Sequence, residues 1–293
     1  MLYDITLHIG YSYEVPATGA HHMLRLLPLS LPDRQRLVAG AVTVTPAPDE
    51  ISTFTDFFRH ATSHAILRSP HEKLDIRMQA RVMLQAQPLS ADFSPILDRL
   101  PPEIAETWSL EPESPHHFIG TSPRLPRDKQ IAAYAREQLK PSMTVRQIAE
   151  QLCARIHKDF KYDAAATTVD TTPTEAFALK RGVCQDFSHV MIVALRSLGI
   201  PAGYVSGFLR TIPPPGKERL EGADAMHAWV RVWCGKLTGW LEFDPTNDVP
   251  AGTDHIVVGY GRDYADVAPV IGVLKSYGSH KTEQAVDVIP IKP

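Results

Sequence analysis

The sequence predicts an α+β protein, in which a β-sandwich-like N-terminal domain precedes a core built from a buried helix packed on an antiparallel sheet. Three observations support this class. Alternating stretches separated by turn residues fill residues 1–90. Helical patterns with capping residues begin near residue 128. Two alternating stretches at 226–234 and 240–244 then indicate a hairpin. We predict domains at residues 1–115 and 116–293.

The N-terminal part is predicted to contain strands at 2–9, 22–27, 37–44 and 74–87, separated by proline-rich breaks. It shows no pattern typical of a nucleophile, a phosphate loop or a metal site. Its pair His21–His22, like His116–His117 further on, is expected at the surface. Residues 90–127 are proline-rich and are expected to form an irregular connector.

Composition excludes several classes of function. The chain has 293 residues, 44% hydrophobic and 22% charged, with a net charge of −3. No basic surface therefore indicates a nucleic acid or an anionic membrane as partner, and no apolar run reaches the length of a membrane span. The first ten residues alternate like a strand and lack a signal-peptide pattern, and the three cysteines are too few for a disulfide framework. We therefore expect a cytoplasmic protein; the oligomeric state is not predicted.

Helical signals organise the next segment. Residues 128–139 read as a helix that stops before Pro141, and Thr144 with Gln147 forms a capping-box pattern ahead of a second helix. Thr172 and the proline after it begin a third helix, for which Gly182 is the expected left-handed cap.

Cys184 follows at the start of a strongly apolar helical pattern. The backbone N–H groups of a helix's first turn have no intrahelical partners, and the local dipole favours negative charge. Both effects favour a thiolate, and the same N–H groups can stabilise an oxyanion. From this segment alone, a nucleophile and a small packing residue are equally good interpretations. Cys153 lies within an apolar helical stripe and is interpreted as an inert core thiol.

A base and its partner are predicted from the hairpin. If loop 235–239 joins the two strands, Cys234 pairs with Gly239, and His227 and Asp244 share a face. They are then diagonal neighbours, with Cα atoms roughly 7–8 Å apart, within reach of an imidazole–carboxylate bond. A slip of one residue would separate them. A metal site built from Cys184, His189, His227 and Cys234 is excluded because His227 and Cys234 point to opposite faces of their strand, and no metal or other cofactor is predicted.

These residues carry a resemblance. GVCQDFSHVMIVALRSLGIPAGYVSGFL, DAMHAWVRVW and WLEFDPTN are similar to the motifs of bacterial transglutaminase-like cysteine enzymes, members of the papain-like superfamily. The similarity continues through HIVVGYGRDYADVAPVIGV, and the opening YDITLHIGYSYEV resembles the β-rich N-terminal domain of these proteins. The family often has arginine where this chain has Gly203, a difference that could alter local charge or substrate preference.

The resemblance implies a papain-like transglutaminase core with a Cys184–His227–Asp244 triad, which forms a thioester on Cys184 from an amide bond of a peptide or protein. Hydrolysis by a protease or amidase is favoured, since no acyl-acceptor site is visible. Transfer to an amine, as in a protein-glutamine γ-glutamyltransferase, and a non-catalytic binding or scaffold protein are the alternatives. Candidate substrate or oxyanion contacts are Tyr162, Asp186 and Trp229. Loop 211–225 is a candidate lid.

Overall fold

The computed structural model describes residues 1–87, 91–211, 222 and 224–291. Within these residues the strands, in chain order, are β1 (Leu2–Leu24), β2 (Gln35–Thr45), β3 (Glu50–Thr55), β4 (Ala61–Leu67), β5 (His71–Leu84), β6 (Lys161–Tyr162), β7 (Arg181–Gly182), β8 (Ala202–Leu209), β9 (Ala225–Trp233), β10 (Trp240–Asp244), β11 (Val249–Pro250), β12 (His255–Gly261), β13 (Val270–Lys275) and β14 (His280–Ile291). The helices are α1 (Leu100–Glu106), α2 (Lys129–Arg136), α3 (Val145–Asp159), α4 (Pro173–Leu179), α5 (Cys184–Ser197) and α6 (Tyr264–Val267). Short 3₁₀ turns lie at Leu97–Arg99 and Pro115–Phe118.

The first sheet is organised around β1, which pairs along its length with strands from both parts of the chain. The strand order is β2-β5-β1-β4-β3, and β13 and β14 also pair with β1. Residues 2–12 of β1 lie between β5 and β14, and residues 21–24 lie between β4 and β13. The N-terminal region is therefore β-rich, as predicted, but its sheet includes strands that follow residue 270. The boundary at residues 115 and 116 stays a prediction.

The second layer against this sheet comes from the core. Burial alternates along the first half of β1, as expected for a strand with one buried face. That face forms an apolar cluster with Phe208 of β8 and with Ile256 and Val258 of β12. The N-terminal sheet therefore packs directly on the sheet that carries the candidate hairpin.

The core sheet has the order β11-β10-β9-β8-β12, with every pair antiparallel. Helices α2 to α5 cover one face, where Ala228, Val230 and Val232 of β9 join their apolar cluster. Trp229 of β9 points to the opposite face and packs with Val257. Strand β9 is thus buried on both sides, with α5 against one of them. The fold is a mixed α and β structure with the helix-on-sheet core that the sequence predicts.

Several strand boundaries differ from the prediction. Strand β1 is continuous, whereas the sequence predicted separate strands at 2–9 and 22–27; a bulge between Thr18 and His21, with Gly19 at φ 56°, lets the chain bend and continue. Strands β3 and β4 were not predicted because their many serine, threonine and histidine residues hide the alternation.

Two local predictions were wrong. The surface position expected for His22 is incorrect: its side chain is buried, and it fits beside Gly272, where a Cβ would lie 2.6 Å from the ring Nδ1. The left-handed residue that ends α4 is Lys180, with φ 52°, not Gly182. Lys180 carries this conformation while its ammonium packs over the rings of Phe160 and Phe177.

The connector is more structured than expected, since it contains α1 and the two 3₁₀ turns. Among the described residues, none of the helices combines the length and apolar character needed to cross a membrane. The candidate lid falls mostly on residues 212–221 and 223, which lie outside the described residues.

Candidate active site

Cys184 is the first residue of α5 and is partly exposed. The helix's own hydrogen bonds begin with the N–H groups of Asp186 and Phe187, which both donate to the Val183 carbonyl. The N–H groups that precede them in the first turn therefore have no acceptor within the helix. The Cys184 thiol thus lies at the N-terminal end of a buried helix, where the helix dipole favours negative charge.

Asp186 fixes this turn. Its carboxylate accepts hydrogen bonds from the Val183 N–H at 2.8 Å and the Thr167 hydroxyl at 2.7 Å, and its side chain is buried. Gly182 has φ 155°, and a Cβ there would overlap this carboxylate, so a glycine is required. Desolvation raises the pKa of Asp186, an effect these hydrogen bonds oppose. The structure therefore places the Asp186 carboxylate beneath the first turn of α5, directed into the protein.

The hairpin has the predicted register. Trp240 pairs with Trp233, and the Cys234 N–H donates to the Gly239 carbonyl at 2.8 Å. The side chains of His227 and Asp244 consequently meet: His227 Nε2 lies 2.8 Å from Asp244 Oδ2. Both side chains are buried.

His227 also contacts the Cys184 thiol. Because Nε2 is engaged with Asp244, Nδ1 is the ring nitrogen left for the sulfur. Burial by itself lowers the pKa of His227, but the hydrogen bonds to Asp244 and Cys184 and the charges of these groups raise it to about 10. The histidine therefore carries a proton at neutral pH, and the structure brings Cys184, His227 and Asp244 into one continuous chain.

Asp244 is held by donors on both oxygens. Oδ1 accepts from the N–H groups of Thr246 and Asn247, and Oδ2 accepts from the Asn247 amide at 2.7 Å in addition to His227. Desolvation opposes ionisation, but the hydrogen bonds from His227 and His255, the charge of His227 and the Asn247 amide hold the pKa of Asp244 far below its usual range. The Asp244 carboxylate is therefore ionised at neutral pH.

The sequence reasoning missed His255 at this site. Its Nε2 lies 3.2 Å from Asp244 Oδ2, and its Nδ1 accepts the Gly252 N–H at 3.2 Å. The two residues lie on β12 and β10, which are separated in the sheet by β8 and β9. The only signal in the sequence was the position of His255 at the head of HIVVGYGRDY, which local periodicity does not connect to Asp244.

Trp229 forms the wall behind the pair. Its ring is fully buried, 6.0 Å from the His227 ring and 5.2 Å from the His255 ring between centroids. Its indole N–H donates to Glu242 Oε2 at 2.6 Å. The structure therefore places Trp229 where it supports His227, with its only N–H already used, rather than on an open surface.

Glu242 in turn binds the N-terminal part of the chain. Its carboxylate is paired with both Nη atoms of Arg34 and accepts the Tyr260 hydroxyl at 2.8 Å. Desolvation would raise the pKa of Glu242, but Arg34 and the two other donors lower it to about 2. A buried ion pair thus connects the N-terminal region to the tryptophan behind His227.

Two tyrosines lie close to Cys184. Tyr162 is about half exposed and Tyr204 is buried in the core. In both, desolvation and then the neighbouring Cys184 charge raise the pKa of the phenol. Tyr162 therefore lies near Cys184, and its role as a substrate or oxyanion contact stays a prediction. Tyr204 was missed because its position on the buried strand β8 looked like ordinary core packing.

The side chains of His227, Asp244 and His255 form the one group in the described ranges with enough nearby ligand atoms to hold a metal ion. Each of these atoms is already part of a hydrogen bond to another member, and His255 is held in a donating form. The donor set fits a hydrogen-bonded chain, so no step is assigned to a metal.

Comparisons with known proteins match both parts of the chain. The transglutaminase-like superfamily matches residues 132–245, and the bacterial transglutaminase-like N-terminal region matches residues 3–83. The uncharacterized protein Rv2569c of Mycobacterium tuberculosis is 36% identical over 296 residues, covering 99% of this chain and 93% of its own length. ML0607 of Mycobacterium leprae is 31% identical over 285 residues, covering 95% of each.

A solved structure agrees over the full length. The crystal structure named "Putative Cysteine Protease from Cytophaga hutchinsonii" aligns with a TM-score of 0.76 and 20% identity, covering 100% of this chain and 91% of that one. At this identity the likeness concerns the fold, which includes both the β-rich N-terminal region and the helix-on-sheet core.

Proposed function

Because the chain belongs to the transglutaminase-like superfamily, whose fold is that of cysteine-dependent enzymes, we propose that it hydrolyses amide bonds of peptides or proteins through a thioester on Cys184. The observation that supports this proposal most is a connected chain of three side chains. The Cys184 thiol is hydrogen-bonded to the His227 ring, and His227 Nε2 lies 2.8 Å from Asp244 Oδ2. A nucleophile, a base and an orienting carboxylate in contact are what acyl transfer requires.

The first half of the reaction uses the proton on His227. The Cys184 thiolate attacks the carbonyl carbon, and a C–S bond forms as the carbonyl oxygen becomes an oxyanion. His227 then gives its proton to the amine nitrogen, the C–N bond breaks, and the amine leaves. Because its pKa is raised to about 10, His227 carries that proton at neutral pH. The products are a thioester and a neutral imidazole.

The second half returns the proton. Neutral His227 takes a proton from water, whose oxygen attacks the thioester carbon. The C–O bond forms, the C–S bond breaks, and the thiolate and imidazolium are restored. Asp244 stays ionised and keeps the imidazole oriented throughout. The first-turn N–H groups of α5 are the proposed oxyanion donors, and Tyr162 is the proposed second donor at the open side.

Alkylation of Cys184 tests the pair directly. We expect iodoacetamide to modify Cys184 quickly at about pH 6, because the imidazolium holds the thiolate, and we expect His227→Ala to abolish this low-pH reaction. His60→Ala is the matched control, because His60 is also a buried, hydrogen-bonded histidine but contacts β12 at Tyr260. If His227→Ala and wild type react alike across the pH range, the proposed nucleophile pair is refuted.

Turnover separates water from amine as the acceptor. A peptide library with a fluorogenic amide is incubated with wild type and with Cys184→Ser, with and without a labelled primary amine. Release without label incorporation supports hydrolysis; incorporation into glutamine side chains would show amine transfer instead.

The three cysteines are unpaired, as suits a reducing compartment, so we propose the cytoplasm as the site of this reaction. Cell fractionation tests that location.

A further inference from the structure

We propose that His255 is a positioning residue for the nucleophile pair, acting as a neutral N–H donor on the Asp244 oxygen that also receives His227. The inference rests on the proposed function, since it concerns the same site. By donating to this oxygen, His255 limits how strongly Asp244 attracts the proton on His227.

The protonation state of His255 follows from its two contacts. The Gly252 N–H points at Nδ1 from 3.2 Å, so Nδ1 presents a lone pair and the ring proton is on Nε2. Nε2 lies 3.2 Å from Asp244 Oδ2, so this proton is directed at the carboxylate. A second ring proton on Nδ1 would face the Gly252 N–H. The turn that contains Gly252, closed by the His255 N–H to the Gly252 carbonyl at 3.0 Å, thus selects the neutral donor form.

Packing keeps this donor in place. The His255 side chain is buried, and its ring stands edge-on to Trp229 at 5.2 Å between centroids. Trp229 also lies beside the His227 ring, so the two imidazoles are held by one indole. The titratable groups that contact His255 or lie beside its ring are Asp244 on β10 and His227 on β9.

The shared oxygen gives the functional consequence. Oδ2 accepts from His227, from His255 and from the Asn247 amide. A neutral donor stabilises the carboxylate charge without adding a positive charge, and so weakens the attraction of that oxygen for the proton on His227. Without it, Asp244 would hold the imidazolium more strongly. His227 would then release its proton to the leaving amine more slowly.

The test follows the ionisation of His227 by NMR of its ring Cε1–H, together with the pH dependence of Cys184 alkylation. We expect His255→Leu to move the His227 titration upward by about one pH unit, as for loss of a hydrogen bond to a charged group. We expect kcat to fall about tenfold or more with little change in KM. His255→Gln, whose amide can still donate, should restore both values most of the way.

Asn247→Ala keeps the test decisive if His255→Leu does not fold. Asn247 is exposed, and its amide is a second neutral donor on the same oxygen, so its removal should move the His227 titration in the same direction. His60→Leu is the control for loss of a buried histidine. The proposal is overturned if neither variant moves the titration, or if His60→Leu moves it equally. The His227 titration and the Cys184 alkylation need no turnover, so a protein that ionises as expected but cleaves no amide would refute the proposed function and leave His255 assigned.

Discussion

Replacement of Arg34 by alanine tests the connection between the N-terminal region and the core sheet. The change would leave the Glu242 carboxylate buried, with a side chain 6% exposed, and without its cation. Losing one partner of a buried pair typically costs about 3 to 5 kcal/mol, since the remaining charge has no compensation. The pKa of Glu242 gives a similar figure, because a fall from 4.5 to about 2 corresponds to about 3 kcal/mol.

The pH dependence has a definite sign. Because the pKa of Glu242 is lower in the folded protein, its contribution to stability is complete above about pH 4.5 and is lost as the pH falls through about 2. In the Arg34→Ala protein, protonation of the Glu242 carboxylate removes the uncompensated buried charge and so stabilises the folded state. The difference in unfolding free energy between wild type and variant should therefore be largest at neutral pH and should narrow on acidification.

Urea denaturation followed by tryptophan fluorescence at about pH 7 and pH 3.5 measures both quantities. Arg81→Ala is the control, since it removes an exposed bidentate pair with Asp4 and should cost less than about 1 kcal/mol. The double variant Arg34→Ala with Glu242→Gln should regain part of the loss, because no buried charge remains. A loss below about 1 kcal/mol for Arg34→Ala, or one equal at both pH values, would refute this account.

Three further predictions concern other parts of the molecule. Gly207→Ala should destabilise the fold by about 3 kcal/mol in thermal unfolding, since a Cβ would lie 2.5 Å from the Trp229 ring; an unchanged Tm would contradict this. Burial raises the pKa of Cys153 and Cys234, so both should be alkylated slowly until the protein is unfolded, as mass spectrometry would show. The pKa of His227 is raised to about 10, so its contribution to stability should be complete below about pH 6.5 and lost as pH rises through 10; denaturation of wild type and His227→Gln at both pH values checks this.

The sequence predicted those parts of the site that local geometry controls. A five-residue loop and two alternating strands fix which residues of a hairpin face each other, so the contact of His227 with Asp244 was predictable. The first-turn position of Cys184 was likewise predictable from helix periodicity and was found at the start of α5. Their catalytic roles stay predictions.

Contacts between distant segments could not be predicted in this way. His255 reaches Asp244 only because the chain between them crosses the end of the sheet, and Arg34 reaches Glu242 across 208 residues. Periodicity describes which face a residue occupies but not which segment covers that face. The pairing of β14 with β1 could not be predicted for the same reason, because the alternation of a strand does not specify which other strand pairs with it.

That pairing has a consequence for how the protein is made. Residues 2–13 of β1 remain an unprotected sheet edge until residues 280–291 have been synthesised and can reach them. A nascent chain therefore completes its N-terminal sheet only after the strands of the core sheet have been synthesised, and the long loop closure slows folding. An unpaired strand edge of this kind is a general site for pairing between incomplete chains, and β14 covers it in the finished protein.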